Sequence, residues 1–238
     1  MDLNQETIGL LAGWYAVFVM STTLHEAAHA WAALRMGDPT AYAGGQVTLN
    51  PLPHMAREPI GMVVFPIASF LLGGWMMGWA SAPYDPAWAG RYPRRAALMA
   101  LAGPAANLLL VLVAGIAIRA GLAMGAFTFT MPGPGEVDFS QIITAPAAGP
   151  ANAAATLLSI AFMLNLLLFV FNLLPLPPLD GSAAISLFLP RWAAARYQEF
   201  MRQPMFQLMG LFVAWKLCGK AFIPVMRVAL NVLYPAVG

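Results

Sequence analysis

Residues 8–34 read IGLLAGWYAVFVMSTTLHEAAHAWAAL, an unbroken apolar run whose only acidic or basic side chains are His25, Glu26 and His29. The hydrocarbon core of a bilayer takes about 20 residues of helix, so the run reads as a membrane span with room to tilt. Composition agrees. Of 238 residues, 60% are hydrophobic and 9% charged, with a mean hydropathy of +0.70, whereas a soluble domain carries about a quarter charged residues. Without lipid, that much apolar surface has nowhere to go. A formal net charge of +2 and no Lys/Arg-rich run give no footing for a nucleic-acid partner. The one cysteine, Cys218, can form neither an intramolecular disulfide nor a Cys-based metal site, and reads as a small apolar filler. Asp2 and Glu6 stand where a secretory signal would carry basic residues, and no small-residue cleavage site follows, so no signal peptide is expected.

Working outward from 8–34, further apolar stretches occupy 60–80, 95–121, 156–189 and 205–235. The expected architecture is an all-α polytopic membrane protein with about four to five transmembrane helices, a re-entrant segment and a small β-hairpin near the active site. It forms a single domain over 1–238, with a core at 8–190 and a C-terminal helical segment at 205–238. The Gly-, Pro- and Ala-rich stretch 125–150, with Glu136 and Asp138 and no Lys or Arg, reads as a loop. Basic residues set orientation, because cytoplasmic loops carry the excess of Lys and Arg. Arg35 and Arg57 follow the first run, Arg91, Arg94 and Arg95 precede the third, and Arg191, Arg196 and Arg202 follow the fourth. Placing all three groups in the cytoplasm leaves the N-terminus and 122–155 outside, and it forbids 60–80 from crossing once. Gly73, Gly74 and Gly78, flanked by Pro59, Pro66, Pro83 and Pro86, suit a segment that enters and returns, which is tolerated at depth when buried in protein or lining a wet cavity. Lys216, Lys220 and Arg227 interrupt the last stretch and Pro224 is expected to kink it, so it reads as a span or as an interfacial helix. Trp31, Trp75, Trp79 and Trp88 read as interface anchors or packing.

His25-Glu26-Ala27-Ala28-His29 is an HExxH motif. Residues four apart share a helix face one turn apart, so both imidazoles reach one ion, and Glu26 beside them can take a proton from a metal-activated water. Ionisable residues within a span are costly and therefore functional by default. Two histidines leave a catalytic zinc one protein ligand short. Asp180 is the candidate: an Asp-Gly pair is ordinarily a turn, but a lone carboxylate in a long apolar run needs a cation or donors. The remaining glutamates, Glu6, Glu58, Glu136 and Glu199, fall in loops or at ends.

Three motifs in order, HExxH at 25–29, Gly103-Pro104-Ala105-Ala106-Asn107, and NxxPxPxLDG at 172–181, resemble the site-2 protease family, the M50-type intramembrane zinc metalloproteases. The stretch from Gly37-Asp38-Pro39-Thr40 to Leu49-Asn50-Pro51-Leu52-Pro53-His54 resembles its compact bacterial branch, without the PDZ or CBS domain of other branches. The resemblance implies one zinc per chain held by His25, His29 and Asp180, Glu26 as general base, and Asn172 near the scissile peptide. It implies single-span transmembrane proteins as substrates, cut near the cytoplasmic side of a bacterial inner membrane. Asn172 has two readings, a donor to a developing oxyanion or a structural cap. Asn107 likewise is an interhelical hydrogen bonder or a substrate contact, and His54 a solvated loop histidine or a gate that approaches the metal. A substrate helix must unwind before hydrolysis, and its freed backbone needs partners; an edge within 41–49 or 73–90 is expected to supply them by strand addition. The zinc is expected roughly 15 Å along the helix from Arg35. A silent scaffold for transmembrane helices and a transporter are the rival classes.

Overall fold

The computed structural model describes residues 4–130, 138–146 and 149–234. Asp2 and Glu136, assigned above to an acidic outer face, lie outside them. Four helices among the described residues are long and apolar enough to cross a membrane: α1 (Gln5–Arg35), α6 (Pro93–Ala123), α7 (Pro150–Asn172) and α10 (Pro204–Leu233). Between them lie shorter elements, α2 (Thr40–Ala43), α3 (Pro51–Arg57), α4 (Phe65–Gly73), α5 (Pro86–Arg91), α8 (Asp180–Ala184) and α9 (Arg191–Met201), and two-residue strands β1 (Thr128–Phe129) and β2 (Ile143–Thr144).

The helix starts are written in the sequence. Proline opens α3, α5, α6, α7 and α10, at the position where its missing N–H leaves nothing unpaired and its fixed φ already suits a helix. Asn4, Asn50 and Asp85 cap α1, α3 and α5 by accepting from Thr7, Leu52 and Ala87 amides. Helix α10 runs unbroken through Pro224, so the expected kink does not end it: one lost ladder bond is a small perturbation in a 30-residue helix.

Buried side chains join α6, α7 and α10 through Val111, Ile118, Phe162, Met163, Phe222 and Met226. A second core joins α1, α4 and α7 through Trp14, Phe18, Phe70, Ile160 and Leu164. Leu109, Leu112, Ile116, Leu208, Phe212 and Val232 are exposed, as a lipid-facing surface requires.

Stretch 60–80 doubles back. A π turn at Ile60–Val64 leads into α4, at 114° to α3. The chain then returns alongside: the Met77 amide donates to Ser69 Oγ at 3.0 Å, the Trp79 amide to the Gly61 carbonyl at 3.1 Å, and the Ser81 hydroxyl to Glu58 at 2.6 Å. Residues 58 and 81 therefore meet.

The basic groups gather at one end of the bundle. Arg95 donates to the Met36 carbonyl, Arg57 to Ser81, and Arg202 lies over the Tyr84 ring. Helix α9 is pinned there by Gln198, which donates to the Pro93 carbonyl and to Ser186. Asp38 ties the same end together, accepting from Thr40 and from the Asp85 amide. Burial works against the charged form of Asp38, yet these donors outweigh it and hold its carboxyl below the ordinary value.

One expectation needs correcting. No strand forms in 41–49 or 73–90: the first holds α2 and turns, and the second has no regular structure before α5. Pro39 and Thr40 open a helical turn that Gly44 and Gly45 end, and Val47–Leu49 follows as a bend without a partner strand. The strand pair β1–β2 lies instead in the α6–α7 connection, at the end of the bundle away from the arginine groups.

Candidate metal centre

His25 and His29 lie one turn apart on α1, both buried, their rings edge-on with centroids 4.6 Å apart. Their Nε2 atoms are 3.0 Å from each other. Asp180 completes a triangle, with Oδ2 3.2 Å from His25 Nε2 and Oδ1 3.4 Å from His29 Nε2. It gets there because α7 stops at Asn172 and the chain folds back through turns at 174–179, with Leu176 and Leu179 amides donating to Leu174 and Leu176 carbonyls. Gly181 makes the fold-back possible: a Cβ there would collide with the Leu173 and Leu174 carbonyls. Gly103 of α6 closes the site from the other side. A Cβ at 103 would run into Nε2 of both histidines, so this glycine lets α6 press against the pair.

The protons decide what the triangle is for. His25 Nδ1 is 2.6 Å from Asn107 Oδ1, and His29 Nδ1 is 2.8 Å from the Met99 carbonyl. Both partners are acceptors, so each Nδ1 carries the hydrogen and each Nε2 presents a lone pair. With both rings neutral, two lone pairs and a carboxylate then face one another at 3.0–3.4 Å, and Asp180 Oδ2 is buried with no donor other than these rings. Such an arrangement is repulsive unless a cation sits among the three. A tetrahedral zinc with ligand bonds of about 2.0–2.1 Å holds its ligand atoms about 3.3 Å apart, so the group fits that ion. His25, His29 and Asp180 are the one such set among the described residues.

Glu26 is buried on α1 beside His25 and outside the triangle. Asn107 is fully buried and bonds both His25 and Asn165 of α7, which is the interhelical reading. The Asn172 amide donates to the Leu168 carbonyl one turn back, at 3.0 Å, as a helix-end cap does. His54 is 1% exposed, which overturns the solvated reading: it sits in α3 with its Nε2 3.1 Å from the Thr48 carbonyl, and it ties α3 to the bend at 47–49. Asn165 and the Met99 carbonyl escaped the reading of the sequence. Asn165 had a signal, a lone amide in the apolar run 160–171; a backbone carbonyl has none.

A cleft lined by Tyr84, Met99, Leu179, Asp180, Gln198 and Arg202 joins the site to the basic end. An apolar groove formed by Leu24, Ala27, Ala28 and Trp31 of α1 with Val47–Leu49 runs along the other side of HExxH.

Comparison with known proteins agrees with this chemistry. The model of peptidase family M50 matches residues 14–215. The "Putative zinc metalloprotease YwhC" of Bacillus subtilis is 31% identical over 196 residues, covering 82% of this chain and 77% of that protein. The "Putative zinc metalloprotease Rip2" of Mycolicibacterium smegmatis is 32% identical over 178 residues, and the chain, 74% of which aligns, spans 55% of that protein's length; Rip2 of Mycobacterium tuberculosis H37Rv is similar at 32% over 176 residues. No solved structure matches significantly. With the family model covering most of the chain and an HExxH pair meeting a distant aspartate inside a bundle of membrane-length helices, the chain belongs to peptidase family M50, the site-2 protease family of membrane metalloproteases.

Proposed function

We propose that this protein hydrolyses peptide bonds of single-span transmembrane proteins within a bacterial inner membrane, near the cytoplasmic face, using one zinc per chain held by His25, His29 and Asp180. The observation that carries the proposal is the triangle of two imidazole nitrogens and a carboxylate at metal-ligand spacing, set among membrane-length helices with Glu26 alongside. The arginines gathered at the nearer end support a cytoplasmic assignment for that end.

Bound zinc would polarise the scissile carbonyl and lower the pKa of a water towards about 7. Glu26 takes the proton from the attacking water and hands it to the leaving amine, a transfer worth about 10²–10⁴-fold in rate. Asn107 and Met99 keep both imidazoles in the tautomer that leaves Nε2 free. The cleft past Gln198 and Arg202 offers water a way in from the basic end, while the groove between α1 and Val47–Leu49 can accept an unwound stretch of substrate. There the Leu49 and Val47 backbones offer hydrogen-bond partners, and strand addition would straighten this bent segment as substrate pairs with it.

The test is cleavage of a panel of single-span proteins by purified protein in liposomes. Wild type should cut and be silenced by 1,10-phenanthroline. Glu26→Gln should lose about 10²-fold or more in rate while keeping its zinc. Turnover at the wild-type rate in Glu26→Gln, or turnover that resists the chelator, would overturn the proposal.

A further inference from the structure

The hydrogen-bonded chain behind His25 continues past Asn107 to residues outside all three motifs. Asn107 Nδ2 donates to Asn165 Oδ1 at 2.8 Å, and Asn165 Nδ2 donates to the Ala161 carbonyl at 2.8 Å and to Ser21 Oγ at 2.9 Å. Ser21, Asn107 and Asn165 are all buried, at 2%, 0% and 1% exposure. The chain joins α1, α6 and α7.

Its direction is forced from the far end. A backbone carbonyl only accepts, so Ala161 fixes which end of the Asn165 amide is the nitrogen. Asn165 must then turn its oxygen towards Asn107. Asn107 must answer with its nitrogen, which leaves its own oxygen for His25. His25 therefore carries its proton on Nδ1 and keeps the Nε2 lone pair for the metal. An amide has no charge preference that would hold Asn107 this way alone; rotated by half a turn, it would present N–H to His25 and favour the wrong tautomer.

We infer that Asn165 is a positioning residue of the metal centre: it reads the Ala161 carbonyl and, through Asn107, sets the tautomer in which His25 binds the ion. This rests on the metal-centre reading above. Partners of this kind behind a ligating histidine are typically worth about 10–100-fold in metal affinity.

A double-substitution cycle separates this role from simple packing. Asparagine at 107 needs orienting because its two ends differ, whereas a carboxylate accepts from His25 through either oxygen and needs none. Zinc affinity is measured by competition with a chelator for wild type, N165L, N107D and N107D/N165L, with the d–d absorption of the cobalt-loaded proteins as a second readout. N165L should weaken zinc about 10-fold or more and alter the cobalt spectrum. The same change in the N107D background should cost no affinity, because there it removes the Asn165 oxygen that would face the carboxylate, against the loss of about 10-fold expected with asparagine at 107. An equal loss in both backgrounds would make Asn165 a packing residue and overturn the inference, as would an N165L protein that binds as tightly as wild type. If wild type itself bound no zinc, the metal-centre reading would fall first, so the two failures are distinguishable.

Discussion

Gly103 is where two opposed effects on a single residue can be ranked. By helix propensity alone, alanine at this position in α6 would be favoured by about 1 kcal/mol. Its Cβ, however, would collide with Nε2 of both His25 and His29, and overpacking a tight site typically costs about 1–3 kcal/mol. The collision should win: Gly103→Ala is expected to lower thermal stability and to weaken zinc about 10-fold or more, on the scale set by disturbing ligand placement. Unchanged zinc affinity in this variant would mean that α6 does not press on the ligands. At this scale the sequence was most legible where spacing is local. HExxH declares its own geometry because four residues make one helical turn, and Asp180 stood out as a carboxylate in an apolar run. Asn165, 58 residues from Asn107 and 144 from Ser21, belongs to no short pattern. Only the packing of three helices brings it behind His25, while α3 packing on α1 and the π turn buries His54, which a Pro-rich loop had suggested was wet.

Among the elements, the doubled-back stretch 60–80 and the loop tied by Asp38 make two separate claims. If the stretch re-enters, Arg91 lies on the same face as Arg57, opposite the α6–α7 connection. In a Cys218→Ala background, Gln141→Cys should react with an impermeant thiol reagent added outside intact cells, and Arg91→Cys should react only after the membrane is opened. Both positions are exposed, so outside labelling of Arg91→Cys would mean that 60–80 crosses. Asp38 concerns stability. Its carboxyl is held below its ordinary value in the folded state, so its contribution is fully present above the unfolded-state pKa and is lost as pH falls through the folded one. Asp38→Asn should cost about 1.5–3 kcal/mol near neutral pH, the scale of hydrogen bonds to a charged group. The gap from wild type should close as the pH falls into and below the carboxylate range; a gap that stays constant in acid would show that charge is not what Asp38 contributes. The doubling-back was legible in the glycines and prolines of 59–86 and in the arginines on either side of the stretch. The strand edge expected in 41–49 did not form because Val47–Leu49 has the residues of a strand but no second strand beside it, a fact of tertiary pairing that local sequence does not carry.

Across the whole molecule, α1, α6 and α7 form a frame around the candidate metal centre. His25 and His29 come from α1, their acceptors Asn107 and Met99 from α6, and Asp180 from the turn after α7. The fold class followed from composition and run length; the register did not, because helices uniformly apolar on every face carry no stripe to align. The central claim is that this assembled set holds one metal ion while Glu26 stands outside it. Elemental analysis of protein purified in detergent tests it directly, with wild type, Glu26→Gln and Asp180→Ala prepared in parallel. The account predicts one zinc per chain in wild type and in Glu26→Gln, and a clear loss in Asp180→Ala at the same free zinc. Full zinc occupancy in Asp180→Ala would contradict it.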